Sequence, residues 1–301
     1  MTAVTSVAPF MKWAGGKRKH CARITELLLQ GRQRIEGAYH EPFLGGGAEA
    51  LHLLSMSVLP AERFILSDAN RELAATWCCV QAQPQALTAR LDALARAYAP
   101  EHLEGEEAIA HAEAFYYKVR GAKGKSPVAV AARFLFLNRA GFNGLYRVNS
   151  KGGFNVPWGH SVTRDVVRAE SLAAVHRVIA GAHVSIQRTD YLDAFRQAVA
   201  GDIIYADPPY VSAAKAGKGF TAYTPGGFLR EDQVALATFA TGAIERGVRV
   251  VLSNHDTATV RDLYHEADGW TLEPVGETRR INSNGAGRGK VAALLIHGGG
   301  R

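Results

Sequence analysis

The sequence predicts an α/β protein with a Rossmann-like, mostly parallel, doubly wound sheet, and three observations carry that prediction. A short strand at 37–41 runs into the cluster Gly45-Gly46-Gly47 and then into a helical pattern at 48–56. A second strand at 63–67 ends on Asp68, roughly twenty residues past the turn. After about residue 167 the α/β rhythm resumes, with buried strands at 202–206 and 248–253, a helix at 230–246 and a last strand at 291–297.

Each element has a local reason. Residues 9–19 form a loop centred on Gly15 and Gly16, and a helical run at 18–30 follows. From about 70 to 137, apolar residues recur at helical spacing, as in Leu87, Leu91 and Leu94, which predicts a helical insertion. Polar and apolar residues then alternate over 141–159 around Ser150-Lys151-Gly152-Gly153, the pattern of a β-hairpin. The expected organisation is a discontinuous catalytic domain, 1–70 with 168–301, interrupted by a recognition domain at 71–167.

Composition narrows the class of function. The chain has 301 residues, 47% hydrophobic and 21% charged, which fits a globular protein and excludes a disordered one. A net charge of +7 suits a polyanionic partner such as nucleic acid. Cys21, Cys78 and Cys79 offer neither a CxxC metal spacing nor an even disulfide framework, and the eleven histidines do not cluster at ligand spacing. No apolar stretch reaches the roughly 18 residues of a membrane span. The expectation is a soluble, cytoplasmic protein without a metal, monomeric or weakly dimeric.

The turn Glu41-Pro42-Phe43-Leu44-Gly45-Gly46-Gly47 reads as a nucleotide-binding turn, because small residues let the backbone approach a ligand and the helix start offers free N–H groups. Asp68 stands where a carboxylate accepts from ribose hydroxyls. The dinucleotide pattern GxGxxG is absent, and so is GxxxxGK[ST]. Glu41 would repel a pyrophosphate but could hold an ammonium group, which favours S-adenosylmethionine over NAD or ATP. Glu41, Phe43, Gly45 and Asp68 are the candidate cofactor residues of this half.

Asp207-Pro208-Pro209-Tyr210 follows a predicted strand. Two prolines set φ and remove N–H donors, while their carbonyls stay available as acceptors. The Asp207 carboxylate and the Pro208 carbonyl can hold both N–H bonds of a purine exocyclic amine and stabilise the charge that develops as its nitrogen attacks a sulfonium methyl. Tyr210 would stack on the base. A base inside a duplex is out of reach, so it would have to be flipped out. A proline-stiffened turn capped by Asp207 is the structural alternative.

These motifs stand in one order along nearly the whole chain: Lys12-Trp13-Ala14-Gly15-Gly16-Lys17, the Glu41 turn, Ser67-Asp68, Asn138-Arg139-Ala140-Gly141-Phe142-Asn143-Gly144-Leu145-Tyr146-Arg147, Asn155-Val156-Pro157-Trp158, the Asp207 tetrapeptide, Phe220-Thr221-Ala222-Tyr223, Ser253-Asn254-His255-Asp256 and Arg279 to Asn284. On them the chain resembles the Dam-type DNA adenine methyltransferases, with the motif order of the α group of amino-methyltransferases. The resemblance implies an S-adenosylmethionine site at Trp13, Lys17, Asp68 and Asp207, with Asp207 and Tyr210 also serving a flipped adenine. It implies that the hairpin reads duplex DNA: Phe142 near the vacated position with Asn143 beside it, Arg147 on a guanine, Leu145 and Pro157 against a thymine methyl, and Lys12 on another guanine. The family's best-known target is GATC. This chain departs from the family pattern at Phe142, where tyrosine is common.

Two other classes compete. Methylation of another amine, in RNA or in a protein glutamine, would leave the hairpin absent or neutral, whereas it carries Arg147 and Lys151. A non-catalytic DNA-binding regulator would have lost Asp68 or the Asp207 tetrapeptide, and both are intact. The aromatic residues of the hairpin could also simply pack it onto the helices. Ser253 to Asp256 is read as a loop closing the substrate pocket, since no nucleophile motif accompanies it.

Overall fold

The computed structural model describes residues 7–56, 61–149, 151–163, 165, 168–181, 183–209, 227–278 and 290–300. In chain order the elements are α1 (Cys21–Leu29), β1 (Ala38–Glu41), α2 (Ala48–Leu54), β2 (Arg63–Ser67), α3 (Arg71–Ala82), α4 (Pro84–Tyr98), α5 (Gly105–Gly121) and α6 (Pro127–Ala140). They continue with α7 (Ala169–Ile179), β3 (Val184–Gln187), α8 (Tyr191–Gln197), β4 (Ile203–Ala206), α9 (Arg230–Glu245), β5 (Arg249–His255), β6 (Trp270–Thr278) and β7 (Lys290–Gly298).

Among the described residues the strands form one sheet in the order β3-β2-β1-β4-β5-β7-β6. The first five run parallel, and β7 inserts antiparallel between β5 and β6. The central strands β1 and β4 are buried at every position; β4 is an apolar run, whereas β1 also carries the buried His40 and Glu41. The direction of winding reverses between β1 and β4. In such sheets ligands bind in the crevice at the carboxyl ends of the strands beside that reversal.

The helices α3 to α6 occupy the stretch between β2 and β3, where a helical insertion was expected. Asn70 starts α3, its side chain accepting from the N–H groups of Glu72 and Leu73. Pro84 and Pro127 stand in the first turns of α4 and α6, where the missing N–H costs nothing. These helices do not float apart from the sheet. Trp77, Leu91 and Phe134 belong to one buried cluster with Tyr39 and Leu66 of the central strands. Emptying one such aromatic position costs about 3–5 kcal/mol, enough to couple the insertion to the sheet mechanically. A smaller cluster around Tyr98, Tyr116, Phe136 and Trp158 fastens the outer end of the insertion.

Two expectations need correction. The segment at 141–159 is not a regular hairpin: it has isolated bridges between Gly141 and Trp158 and between Val148 and Phe154. A 3₁₀ turn at Phe142–Gly144, with positive φ at Asn143 and Gly144, interrupts the ladder. Asn149 builds the distal turn instead, its Oδ1 accepting from the N–H groups of Lys151 and Gly153. The second correction concerns Ser253 to His255, which is not loop but the end of β5.

Candidate active site

The crevice at the carboxyl ends of β1 and β4 is built from four pieces of chain. After β1 comes the glycine turn. Gly45 has φ +47°, and a Cβ there would stand 2.8 Å from the Trp13 indole. Gly47 has φ +66°, and its Cβ would stand 2.6 Å from Trp77. The turn is therefore clasped between two indoles that only glycine admits, and Trp77 Nε1 donates to the Gly45 carbonyl at 3.0 Å. The sequence explained these glycines by a ligand; their nearest neighbours are Trp13 and Trp77.

Asp68 follows β2, partly buried. Its Oδ2 accepts from Gly45 N–H at 3.1 Å and its Oδ1 from Asn70 N–H at 2.8 Å. Burial raises its pKa to about 6, against the lowering effect of the Asn70 and Gly45 donors. The two donors orient the carboxylate without surrounding it, which suits a group that must accept from a diol.

The N-terminal loop closes over the end of β4. Lys17 is buried, with Nζ 3.1 Å from Asp207 Oδ1 and donating to the Gly15 carbonyl at 2.9 Å. Ser253 Oγ donates to the same Asp207 Oδ1 at 2.6 Å from the neighbouring strand β5. Pro208 is buried and Pro209 partly exposed. The Pro209 carbonyl accepts from Gln233 Nε2 at 3.3 Å. Tyr210 lies outside the described residues, as do the motifs at 220–223 and 279–284.

Glu41 departs from expectation. It is 3% exposed, and its carboxylate accepts from the Tyr39 hydroxyl at 2.7 Å and from the Ala50 backbone. Burial pushes its pKa well above the usual carboxylate range. Its oxygens are taken up by Tyr39 and the start of α2 rather than presented to an ammonium group. Phe43 faces the other way, stacked on Tyr191 with ring centres 5.1 Å apart and edge-on to Phe228 at 5.8 Å. Tyr191 and Phe228 went unnoticed in the sequence, because nothing local ties them to the glycine turn.

The segment 141–159 lies beside this crevice. Trp13 is inclined at 32° to the Tyr146 ring at 5.6 Å. Asn138 joins the two regions: its Oδ1 accepts from Lys12 N–H at 2.9 Å, and its Nδ2 donates to the carbonyls of Lys12 at 2.7 Å and Gly144 at 3.0 Å. A Cβ added at Gly144 would stand 2.4 Å from the Lys12 stem. Lys12, Asn143, Arg147 and Pro157 are exposed and Phe142 partly so. Arg147 is held by Asn155, with Nε donating to Oδ1 at 2.8 Å. Leu145 is the exception: at 6% exposure it packs inward and offers no surface to a thymine methyl. Its position between the turn at Gly144 and the buried Tyr146 accounts for that.

Among the described residues no group of three acidic, His or Cys side chains could hold a metal ion, and no helix is long and apolar enough to cross a membrane.

A β3-β2-β1-β4-β5-β7-β6 sheet with an antiparallel β7, carrying an acid–proline loop and a glycine turn at its reversal point, defines a Rossmann-like methyltransferase. The chain belongs to the D12 class N6 adenine-specific DNA methyltransferases, whose family model matches residues 13–281. It is 35% identical over 289 residues to a DNA adenine methylase of Vibrio cholerae, covering 95% of this chain and 94% of that one. It is 34% identical over 288 residues to the DNA adenine methylase of Escherichia coli K12, covering 95% and 93%. It is also 33% identical over 288 residues to the type II methyltransferase M.MjaIII of Methanocaldococcus jannaschii, covering 93% and 94%.

Proposed function

We propose that the protein transfers a methyl group from S-adenosylmethionine to N6 of an adenine swung out of duplex DNA, within the sequence GATC. The observation that carries this reading is Asp207, anchored by Lys17 and Ser253 at the reversal point of the sheet and followed by two prolines. Membership of an N6 adenine-specific family supports the target atom. Relatives named DNA adenine methylase support the recognition sequence.

The site fits the cofactor. Asp68 has two oriented oxygens for a ribose, Trp13 lies against Gly45 of the glycine turn, and Lys17 and Asp207 bring charge to the crevice. S-adenosylmethionine, when bound, supplies an electrophilic methyl group. The chain's own work is to hold the nucleophile. An exocyclic amine is a weak nucleophile because its lone pair is delocalised into the ring. Asp207 and the Pro208 carbonyl take its two N–H bonds, which favours a pyramidal nitrogen and stabilises the charge that grows on it. Lys17 and Ser253 both address Oδ1 of Asp207, so Oδ2 is the oxygen assigned to the amine. Tyr210 stacks on the base. Positioning then does more than proton removal.

Residues 71–167 serve as the DNA-recognition region and 1–70 with 168–301 as the catalytic unit. Phe142 and Asn143 sit near the vacated base position, and Arg147 and Lys12 read guanines. Pro157, exposed, takes the thymine methyl without help from the buried Leu145.

The test is methylation of a plasmid, digestion with nucleases that are blocked by or require adenine-methylated GATC, and sequencing of the modified adenines. Modification confined to GATC is expected. Modified adenines in unrelated sequences would overturn the recognition sequence, and an unmodified plasmid would overturn the activity.

A further inference from the structure

The acid–proline loop is gripped from both faces of the sheet by two successive residues of β5. Successive strand residues point to opposite faces. Ser253 reaches Asp207 directly, with Oγ 2.6 Å from Oδ1. Asn254 points to the opposite face, where α9 covers the strand. There Asn254 Nδ2 donates to Gln233 Oε1 at 2.9 Å, and Gln233 Nε2 donates to the Pro209 carbonyl at 3.3 Å.

The direction of every bond in that chain is determined. The Pro209 carbonyl can only accept, so the nitrogen of the Gln233 amide must face it, and Oε1 is left for Asn254. Asn254 Oδ1 in turn accepts from His255 N–H at 2.9 Å. Both amides are 1% exposed, and a buried amide costs stability unless it is bonded. An apolar pair would fill the space between β5 and α9 without that constraint. What the polar pair adds is a hold on one carbonyl of a loop whose prolines have no N–H with which to anchor themselves.

We propose that Gln233, oriented by Asn254, is a positioning residue for the reaction: it sets the direction of the Pro209 carbonyl and thereby of the adjacent Pro208 carbonyl that accepts from the target amine. The inference rests on the functional reading above and adds to it the residues of β5 and α9 that aim the acceptors. It also gives Ser253-Asn254 a role in place of pocket closure by a loop.

The experiment compares single-turnover methylation of duplex DNA by the wild type, Gln233→Met and Gln233→Glu. Methionine keeps the volume and removes both polar ends. Misaiming an acceptor by a fraction of an ångström should slow the chemical step by about 10- to 100-fold. The KM values for cofactor and DNA should stay within about two-fold, because Gln233 touches neither. Glutamate separates positioning from packing. As a buried carboxyl it titrates above its ordinary range, so at high pH the ionised form faces the Pro209 carbonyl without a proton to donate, and at lower pH the acid donates to it. The Gln233→Glu rate should therefore recover toward wild type as pH falls, while Gln233→Met stays slow throughout.

A wild-type single-turnover rate in Gln233→Met would overturn the proposal, and so would a Gln233→Glu rate with the pH dependence of the wild type. If Gln233→Met does not fold, the pH profile of Gln233→Glu decides alone. A wild-type enzyme that leaves adenine unmodified would instead overturn the functional reading, so the two failures are distinct.

Discussion

Lys17 Nζ stands 3.1 Å from Asp207 Oδ1, and the lysine is buried while the carboxylate is partly exposed. The pair ties the N-terminal loop to the end of β4, so one contact joins the loop carrying Trp13 to the loop carrying the prolines. Removing the carboxylate from a buried ion pair is costly, so removing the aspartate disturbs both loops together.

Asp207→Ala should therefore abolish methyl transfer and also weaken cofactor binding, because it removes the Lys17–Asp207 contact. Asp207→Asn keeps the shape and one acceptor, and should retain cofactor binding better than activity. Isothermal titration with a non-reactive cofactor analogue, beside a methylation assay, separates the two effects. Turnover by Asp207→Ala at the wild-type rate would remove the residue from the mechanism.

Asp68 makes cofactor affinity depend on pH. Its folded pKa is raised to about 6 by burial, and the ribose contact needs the ionised form. Affinity should be full above that pH and fall below it, about five-fold between pH 6 and pH 5. Titration of the analogue across that range checks the dependence, and Asp68→Asn should bind weakly and with no slope.

Glu49 should set a pH dependence of stability. It is buried beside Glu41 and Cys21, accepts from the Thr25 hydroxyl at 2.8 Å, and burial raises its pKa to about 8. The folded state thus holds a proton that the unfolded chain releases near its ordinary carboxylate pKa. Stability is then highest below that ordinary value and falls as pH rises toward 8, by at most about 1.4 kcal/mol per pH unit. Glu49→Gln should flatten this slope in thermal melts. Glu41, Tyr39 and Cys21, which face the same buried region, stay unchanged in that variant.

Arg147→Ala should relax base preference at one position by about 1–3 kcal/mol while leaving the chemical step on the preferred site nearly intact. Competition between duplexes differing at single positions measures it. A uniform loss across all sequences would make Arg147 a phosphate contact instead.

Much of this site was legible in the chain because its signals are local. The strand, glycine turn, helix and Asp68 lie within one short stretch, and the acid–proline tetrapeptide carries its own stiffness. The parts that were not legible depend on partners distant in sequence. β3 is four residues long with one fully buried position, too short for periodicity to register. β6 contains Pro274, which argues against a strand until its place at the sheet edge is known. Ser253 to Asp256 read as a loop closing the pocket, yet Ser253 and Asn254 lie in β5, bonded inside the protein to Asp207 and Gln233. Glu41 read as a ligand because it ends a strand, but Tyr39 on the same face and the start of α2 claim it.

The most direct measurement uses S-adenosylmethionine carrying a deuterated methyl group, a duplex containing GATC, and mass spectrometry of the nucleosides after complete digestion. The wild type should yield deuterated N6-methyldeoxyadenosine, and Asp207→Ala none. Label on cytosine or on protein, or labelled adenine from both enzymes alike, would contradict it.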